Sequence, residues 1–328
     1  MTIDSMTTEF GSVILRSMIQ FCRWPAILLV GMLCATGTFA QSGGFMTSYD
    51  VESLGHGLYT FRYGPYRNIF LIGSDGVIVT DPIKVPAAKA LRAEISKLTD
   101  LPVKYVAYSH SHWDHAVGGA IFKEEGAEFA AQEKCRDNIR ETPHPDLVEP
   151  DIVYSKSLTL EAGDQSLELY YFGPNHGDCL SVMVARPANV AFIVDLVNPP
   201  SGWHLEWNPT APDTHFWNLR ASLASIAEFL EEAGVETFVG GHISLIEGPA
   251  GRPTMAPAAG SVSAVTERLI YWDTIISAVE EEMAKGTVGE LVASKLDRSS
   301  FESRIDDYDH DEMSILLRRI ASYVYAGF

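Results

Sequence analysis

Along most of the chain the apolar positions fall into short β-branched and aromatic runs separated by turn residues, and only a few stretches carry helical spacing. Residues 57–63 and 68–72 read as strands. Ser74-Asp75-Gly76 is a hairpin turn leading into a further strand that ends at Asp81. Ala90, Leu91, Ile95 and Leu98 recur at helical spacing and predict an amphipathic helix over 86–99. Val103 to Tyr108 reads as a buried strand, and 116–125 as the start of a helix. A strand over 127–131 runs into a predicted helix over 132–141, broken by Pro143-His144-Pro145, where His144 is expected to be an exposed loop residue. Strands then lead to His176 and to Asp195, a helix covers 218–233, and another strand ends in His242.

After His242 the pattern changes. Residues 248–260 form a Pro/Gly/Ala-rich link. A long helix is predicted over 261–285, with Val265, Leu269, Ile270, Trp272, Ile276, Val279 and Met283 as its apolar stripe and Gly286 as its stop. A last helix is expected over 313–324. Residues 261–328 therefore read as a helical extension whose apolar faces pack on the core or, as the alternative, on a second copy in a homodimer.

The chemistry is concentrated at strand ends. Between Tyr108 and Val117 the chain reads Ser109-His110-Ser111-His112-Trp113-Asp114-His115-Ala116. Imidazole nitrogens and carboxylate oxygens are ligands of zinc and similar divalent ions. In extended chain His110 and His112 point the same way, whereas Asp114 and His115 come where the chain turns. That arrangement suits two adjacent metals better than one. His176, Asp195 and His242 each follow a strand-like run, the position at which α/β proteins present their chemistry.

These residues resemble the metallo-β-lactamase-fold hydrolases of the His-x-His-x-Asp-His type, over about Val51 to Glu247. The resemblance implies an αβ/βα four-layer sandwich, here spanning 41–260 with the helical extension after it. It implies that one metal takes His110, His112 and His176, that a second takes Asp114, His115 and His242, and that Asp195 bridges them. Asp114 would be catalytic, orienting a shared hydroxide and moving a proton. Two zinc ions per chain are expected, roughly 3.5–4 Å apart, and iron is the less favoured metal. Asp81 matches the family's early Asp. It would bond a ligand histidine or fix its loop, or else simply cap the turn before Pro82. The expected reaction is hydrolysis of a small ester, lactone, thioester or amide. The alternatives are a β-lactamase-like amide hydrolase and an iron-dependent oxidoreductase like the persulfide dioxygenases. An Asp at 195, where zinc β-lactamases usually carry Cys or Ser, counts against the first alternative.

Composition narrows the partners. The formal net charge of −19 argues against nucleic acid and anionic membranes, whose phosphates need Lys and Arg. A small-molecule substrate remains. Residues 1–40 read as a signal peptide, with Arg16 and Arg23 before a short apolar core and small residues at Thr38-Phe39-Ala40. That predicts a periplasmic or secreted protein with no stable membrane insertion after the signal is removed. Cys135 and Cys179 remain in the mature chain. An oxidising compartment permits a disulfide between them, but the spacing does not show that they meet, and Cys179 reads as a small core residue. Residues 198–217 are rich in Pro and Trp and lie over the site as a lid or pack on the core as a surface loop. His204 and His215 within them are not needed as ligands.

Overall fold

Two β-sheets face each other, and helices cover their outer sides. The computed structural model describes residues 44–205 and 208–327. The predicted signal peptide, with Cys22 and Cys34, and Trp207 lie outside the described residues. The first sheet holds β1 (Tyr49–Gly55), β2 (Leu58–Tyr63), β3 (Tyr66–Ile72), β4 (Val77–Thr80), β5 (Val103–Ala107), β6 (Glu128–Gln132) and β7 (Ile152–Tyr154), in that order. Its first four strands form an antiparallel meander, and β4 through β7 are parallel. The second sheet contains β8 (Ser157–Ala162), β9 (Gln165–Tyr171), β10 (Ser181–Arg186), β11 (Val190–Ile193) and β12 (Thr237–Gly240). A short hairpin of β13 (Leu245–Glu247) and β14 (Pro253–Met255) follows, and β15 (Ala259–Ser261) closes the edge of the second sheet against β12. The link after His242 is thus partly strand, because its apolar Ala259 and its neighbours continue the sheet.

Strand alternation sorts the core into three layers. In β3, Ile69 and Leu71 point between the sheets while Phe70 points outward. In β10, Met183 and Ala185 point inward while Val182 and Val184 point to the other side. The outer face of the first sheet packs on α1 (Val85–Leu98), on Phe122 of a short α3 (Ala120–Glu124), and on Cys135 and Ile139 of α4 (Glu133–Glu141). The outer face of the second packs on α5 (Phe216–Glu232), α6 (Ser263–Ala284), α7 (Gly289–Lys295), Phe301 of α8 (Ser299–Glu302), and α9 (His310–Ala326). This is the expected αβ/βα sandwich with C-terminal helices. The extension packs on the core: Leu223 and Ile226 of α5, Ile276 and Val279 of α6 and Leu317 of α9 share one buried cluster.

Two expectations fail locally. The predicted helix over 116–125 is split into α2 (Trp113–Ala116) and α3, because Gly118 adopts φ 102° and lies against the backbone of Lys84 and Val85, leaving no space for a Cβ. In α6 the predicted Val265, Trp272, Ile276 and Val279 are buried, but the stripe is not as drawn at every position. Ile270 is exposed, while Arg268, Tyr271, Ile275 and Glu282 are buried.

Candidate metal centre

Every residue singled out from the sequence as a metal ligand comes from the C-terminal end of a strand. Asp81 follows β4, the cluster from His110 follows β5, His176 follows β9, Asp195 follows β11 and His242 follows β12. These ends lie at one edge of the sandwich, where the chain can turn without interrupting either sheet. Asp195 sits at φ 56°, a left-handed conformation that Asp tolerates better than most residues.

The seven side chains form two groups. His110, His112, His176 and Asp195 bring one ligand atom each to within 4.8 Å of one another, and so do Asp114, His115 and His242. Asp195 joins them. Its Oδ2 lies 3.3 Å from His110 Nε2, 3.3 Å from His176 Nε2 and 3.4 Å from His115 Nε2, and its Oδ1 lies 2.8 Å from His242 Nε2. Within the groups, ring nitrogens face ring nitrogens: His176 Nε2 to His112 Nδ1 at 3.2 Å and His115 Nε2 to His242 Nε2 at 3.2 Å. Two imidazole nitrogens that face each other compete for one proton, whereas lone pairs aimed at a common cation are all satisfied. The buried His110 Nε2 likewise has no hydrogen bond of good geometry. The donor set therefore fits metal ions.

Electrostatics agree. Burial and the carboxylates compete at His115: burial lowers its pKa, but Asp195, Asp81 and Asp114 override it and raise it to about 9. The three acids thus demand positive charge at this spot, which a proton or a metal cation can supply. Burial opposes ionisation of Asp195, yet the His115 and His242 imidazoles hold its carboxyl well below the usual range. Burial holds His110 well below the ordinary histidine range, so its imidazole is neutral, the form that can ligate a metal.

His110 and His112 are also held at their opposite nitrogens. Ser109 Oγ lies 2.9 Å from His110 Nδ1. Asp81, fully buried, accepts a hydrogen bond from Ser109 N at 2.8 Å and has Oδ2 3.8 Å from His115 Nδ1. Burial raises the Asp81 pKa to about 6. Of the two readings offered for Asp81, the structure favours the one that fixes the ligand loop. His112 Nε2 faces Asp213 Oδ2 at 2.7 Å.

Asp213 was not legible in the sequence, since Ala211-Pro212-Asp213-Thr214 reads as an ordinary turn. Its loop is anchored by Gly177 N, which donates to Asp213 O at 2.7 Å. Gly177 sits at φ 69°, and a Cβ there would lie 3.0 Å from Asp213 Oδ2. A carboxylate behind a ligand imidazole fixes its orientation and raises its basicity. Asp213→Ala is expected to weaken metal retention about 10–100-fold, read by competition with a chromogenic chelator. Unchanged retention would show that Asp213 does not position His112.

Cys135 and Cys179 form a disulfide with 5.2 Å between their Cα atoms. Cys179 is therefore more than the small core residue expected, and the bond ties α4 to the loop that carries His176. Asn138 of α4 reinforces the tie by donating to Asp178 Oδ1 at 2.7 Å.

A cavity of about 580 Å³ opens over the centre, with Asp114, Asp195, His176 and His242 in its wall. A second groove, lined by Ser111, Asn138 and Asp178, meets it at His112 and Asp114. The Pro/Trp-rich loop contributes Leu205, Ala211 and Pro212 to the main cavity, so it does wall the site. Its two described Trp residues are not the wall: Trp203 packs beside Tyr271 and under Arg304, and Trp217 is exposed on α5. His204 lies in the wall with its Nδ1 3.9 Å from Asp306, and His215 stacks edge-on against Trp217. Neither joins the ligand groups. His144 is half-buried and its ring packs against Trp113, so it is less exposed than expected. Tyr66, missed in the sequence, lines the cavity with its ring 5.0 Å from that of His242.

A two-sheet sandwich that gathers five imidazoles and two carboxylates at its strand ends is the framework of a metal-dependent hydrolase. The model of the family described as the metallo-beta-lactamase superfamily matches residues 62–242, more than half of the chain. The chain belongs to that superfamily. Among solved structures, a metallo-beta-lactamase from Pontibacter korlensis superposes with a TM-score of 0.56 at 18% identity, covering 69% of this chain and 99% of that one. The metallo-beta-lactamase DIM-1, in a crystal exposed to ceftazidime, superposes at 0.57 with 13% identity, covering 70% and 98%. These similarities are of fold. No curated protein sequence matches the chain.

Proposed function

We propose that the protein is a dinuclear zinc hydrolase acting on a small ester, lactone, thioester or amide in the periplasm or outside the cell. The observation that carries this reading is Asp195, whose two oxygens face both ligand groups. His110, His112 and His176 would hold one ion, and Asp114, His115 and His242 the other. When bound, the ions supply Lewis acidity, making hydroxide available near neutral pH and offsetting negative charge that develops on the substrate.

The chain's own groups do the rest. Asp114 has a partly exposed carboxylate in the cavity wall, where Oδ2 can take a proton from the attacking water and return it to the leaving group. Burial, Asp114 and Asp195 raise the Tyr66 pKa, so its hydroxyl stays protonated as a donor in the same cavity. Leu196, Val197, Leu205 and Ile243 exclude water around an apolar substrate body. The location is supported by the disulfide, which persists in oxidising compartments. Among the described residues, no helix is long and apolar enough to cross a membrane.

Purified protein is expected to carry close to two zinc ions per chain. It should hydrolyse at least one member of a panel of esters, lactones, thioesters and amides, including a cephalosporin. Chelation should remove the activity and zinc should restore it. A zinc-loaded protein that hydrolyses none of the panel would refute the reading.

A further inference from the structure

The cavity wall is completed by the C-terminal extension, beyond the residues matched by the family model. Arg268 of α6 and Asp307 and Glu312 near the start of α9 all line it. Arg268 is the unusual one. It is only 6% exposed, and a buried guanidinium is costly unless its charge and its donors are met. Its Nη1 donates to His204 O at 3.0 Å, and its guanidinium carbon lies 4.6 Å from the Tyr271 ring centroid. Its Nε is buried with no hydrogen-bond partner. Among the described residues, two neighbouring acids are engaged elsewhere, while Asp307 and Glu312 share the cavity wall with it. Glu267 accepts from Ser201 Oγ and Gly202 N, and Asp306 faces His204.

We propose that Arg268 binds a carboxylate of the substrate, which makes the substrate class a small, carboxylate-bearing acyl compound with an apolar body. The inference rests on reading the centre as hydrolytic. A guanidinium held by a backbone carbonyl on one side and an aromatic ring on another is preoriented, and an incoming carboxylate supplies a charged acceptor for the donors that the chain leaves open. Asp307 and Glu312 repel an anion from the rest of that wall, so the binding position is defined. The apolar wall residues take the remainder of the molecule, and a cavity of about 580 Å³ limits its size to that of a small metabolite. The specificity of the site is then set by the extension, while its chemistry is set by the sandwich.

Two measurements test this. In the first, kcat/KM is compared for 4-nitrophenyl hydrogen glutarate and its methyl ester, on zinc-loaded wild type, R268Q and R268K. The wild type is expected to prefer the anionic ester by about tenfold or more, the worth of a charge-assisted hydrogen bond. In R268Q the ratio should fall towards 1 through a higher KM for the anionic ester, and R268K should keep part of the preference. In the second, calorimetry compares 4-phenylbutyrate with 4-phenylbutan-1-ol on the same proteins, with zinc content and melting temperature checked for each. The wild type should bind the carboxylate more tightly and R268Q should not. A preference that survives in folded, zinc-loaded R268Q, or none in the wild type, overturns the proposal. Wild type that hydrolyses neither ester but binds the carboxylate through Arg268 would count against hydrolysis and for Arg268.

Discussion

Asp195→Asn is expected to lower the metal content below two per chain and to reduce hydrolysis at least about 10³-fold. Lewis-acid stabilisation of developing charge is worth several kcal/mol, and about 1.4 kcal/mol is a factor of ten in rate. Asn keeps the shape of the side chain but offers one neutral oxygen where Asp offers two charged ones. Both oxygens matter here, because Oδ2 faces His110, His115 and His176 while Oδ1 faces His242. Loss of one face should therefore affect both ligand groups. Elemental analysis and steady-state kinetics on the same preparation check this. A variant that keeps two metals and most of its activity would mean that Asp195 is not shared between them.

Replacing both Cys135 and Cys179 by Ala is expected to cost about 4 kcal/mol of stability, from the entropy of an unfolded chain no longer closed over a sequence separation of 44. In a protein of this size that corresponds to a melting temperature lower by roughly 7 °C. The effect should reach the site. The bond holds α4 against Gly177 to Leu180, next to His176, and Asn138 to Asp178 is the main polar tie that remains. His176 should then be positioned less firmly, and zinc should dissociate faster from the double variant than from the wild type. Differential scanning calorimetry and a chelator-driven release rate measure the two effects. An unchanged melting temperature would show that the loop is held by other contacts.

The fold was legible where one periodicity dominated. Val77–Thr80 and Val190–Ile193 are short apolar runs between turns and are strands buried on both faces, and Val103–Ala107 is a strand half-buried at Lys104 and Tyr105. The candidate ligands were legible for a related reason: each follows a strand within a few residues, and His110 to His115 are close neighbours in sequence. What escaped depends on contacts between distant segments. Asp213 meets His112 across 101 residues, and Tyr66 meets His242 through the packing of the two sheets. Nothing local distinguishes either from an ordinary turn or strand residue. Arg268 escaped because the helical spacing put Ile270 on the buried face, whereas the burial is set by α5 and α9 packing on α6. The disulfide needed a three-dimensional coincidence that spacing alone does not encode.

The most direct test of the central claim is anomalous diffraction at the zinc edge from crystals of the zinc-loaded protein. The account predicts two peaks, one among His110, His112 and His176 and one among Asp114, His115 and His242, with the Asp195 carboxylate between them. A single peak, or zinc bound away from these side chains, would contradict it.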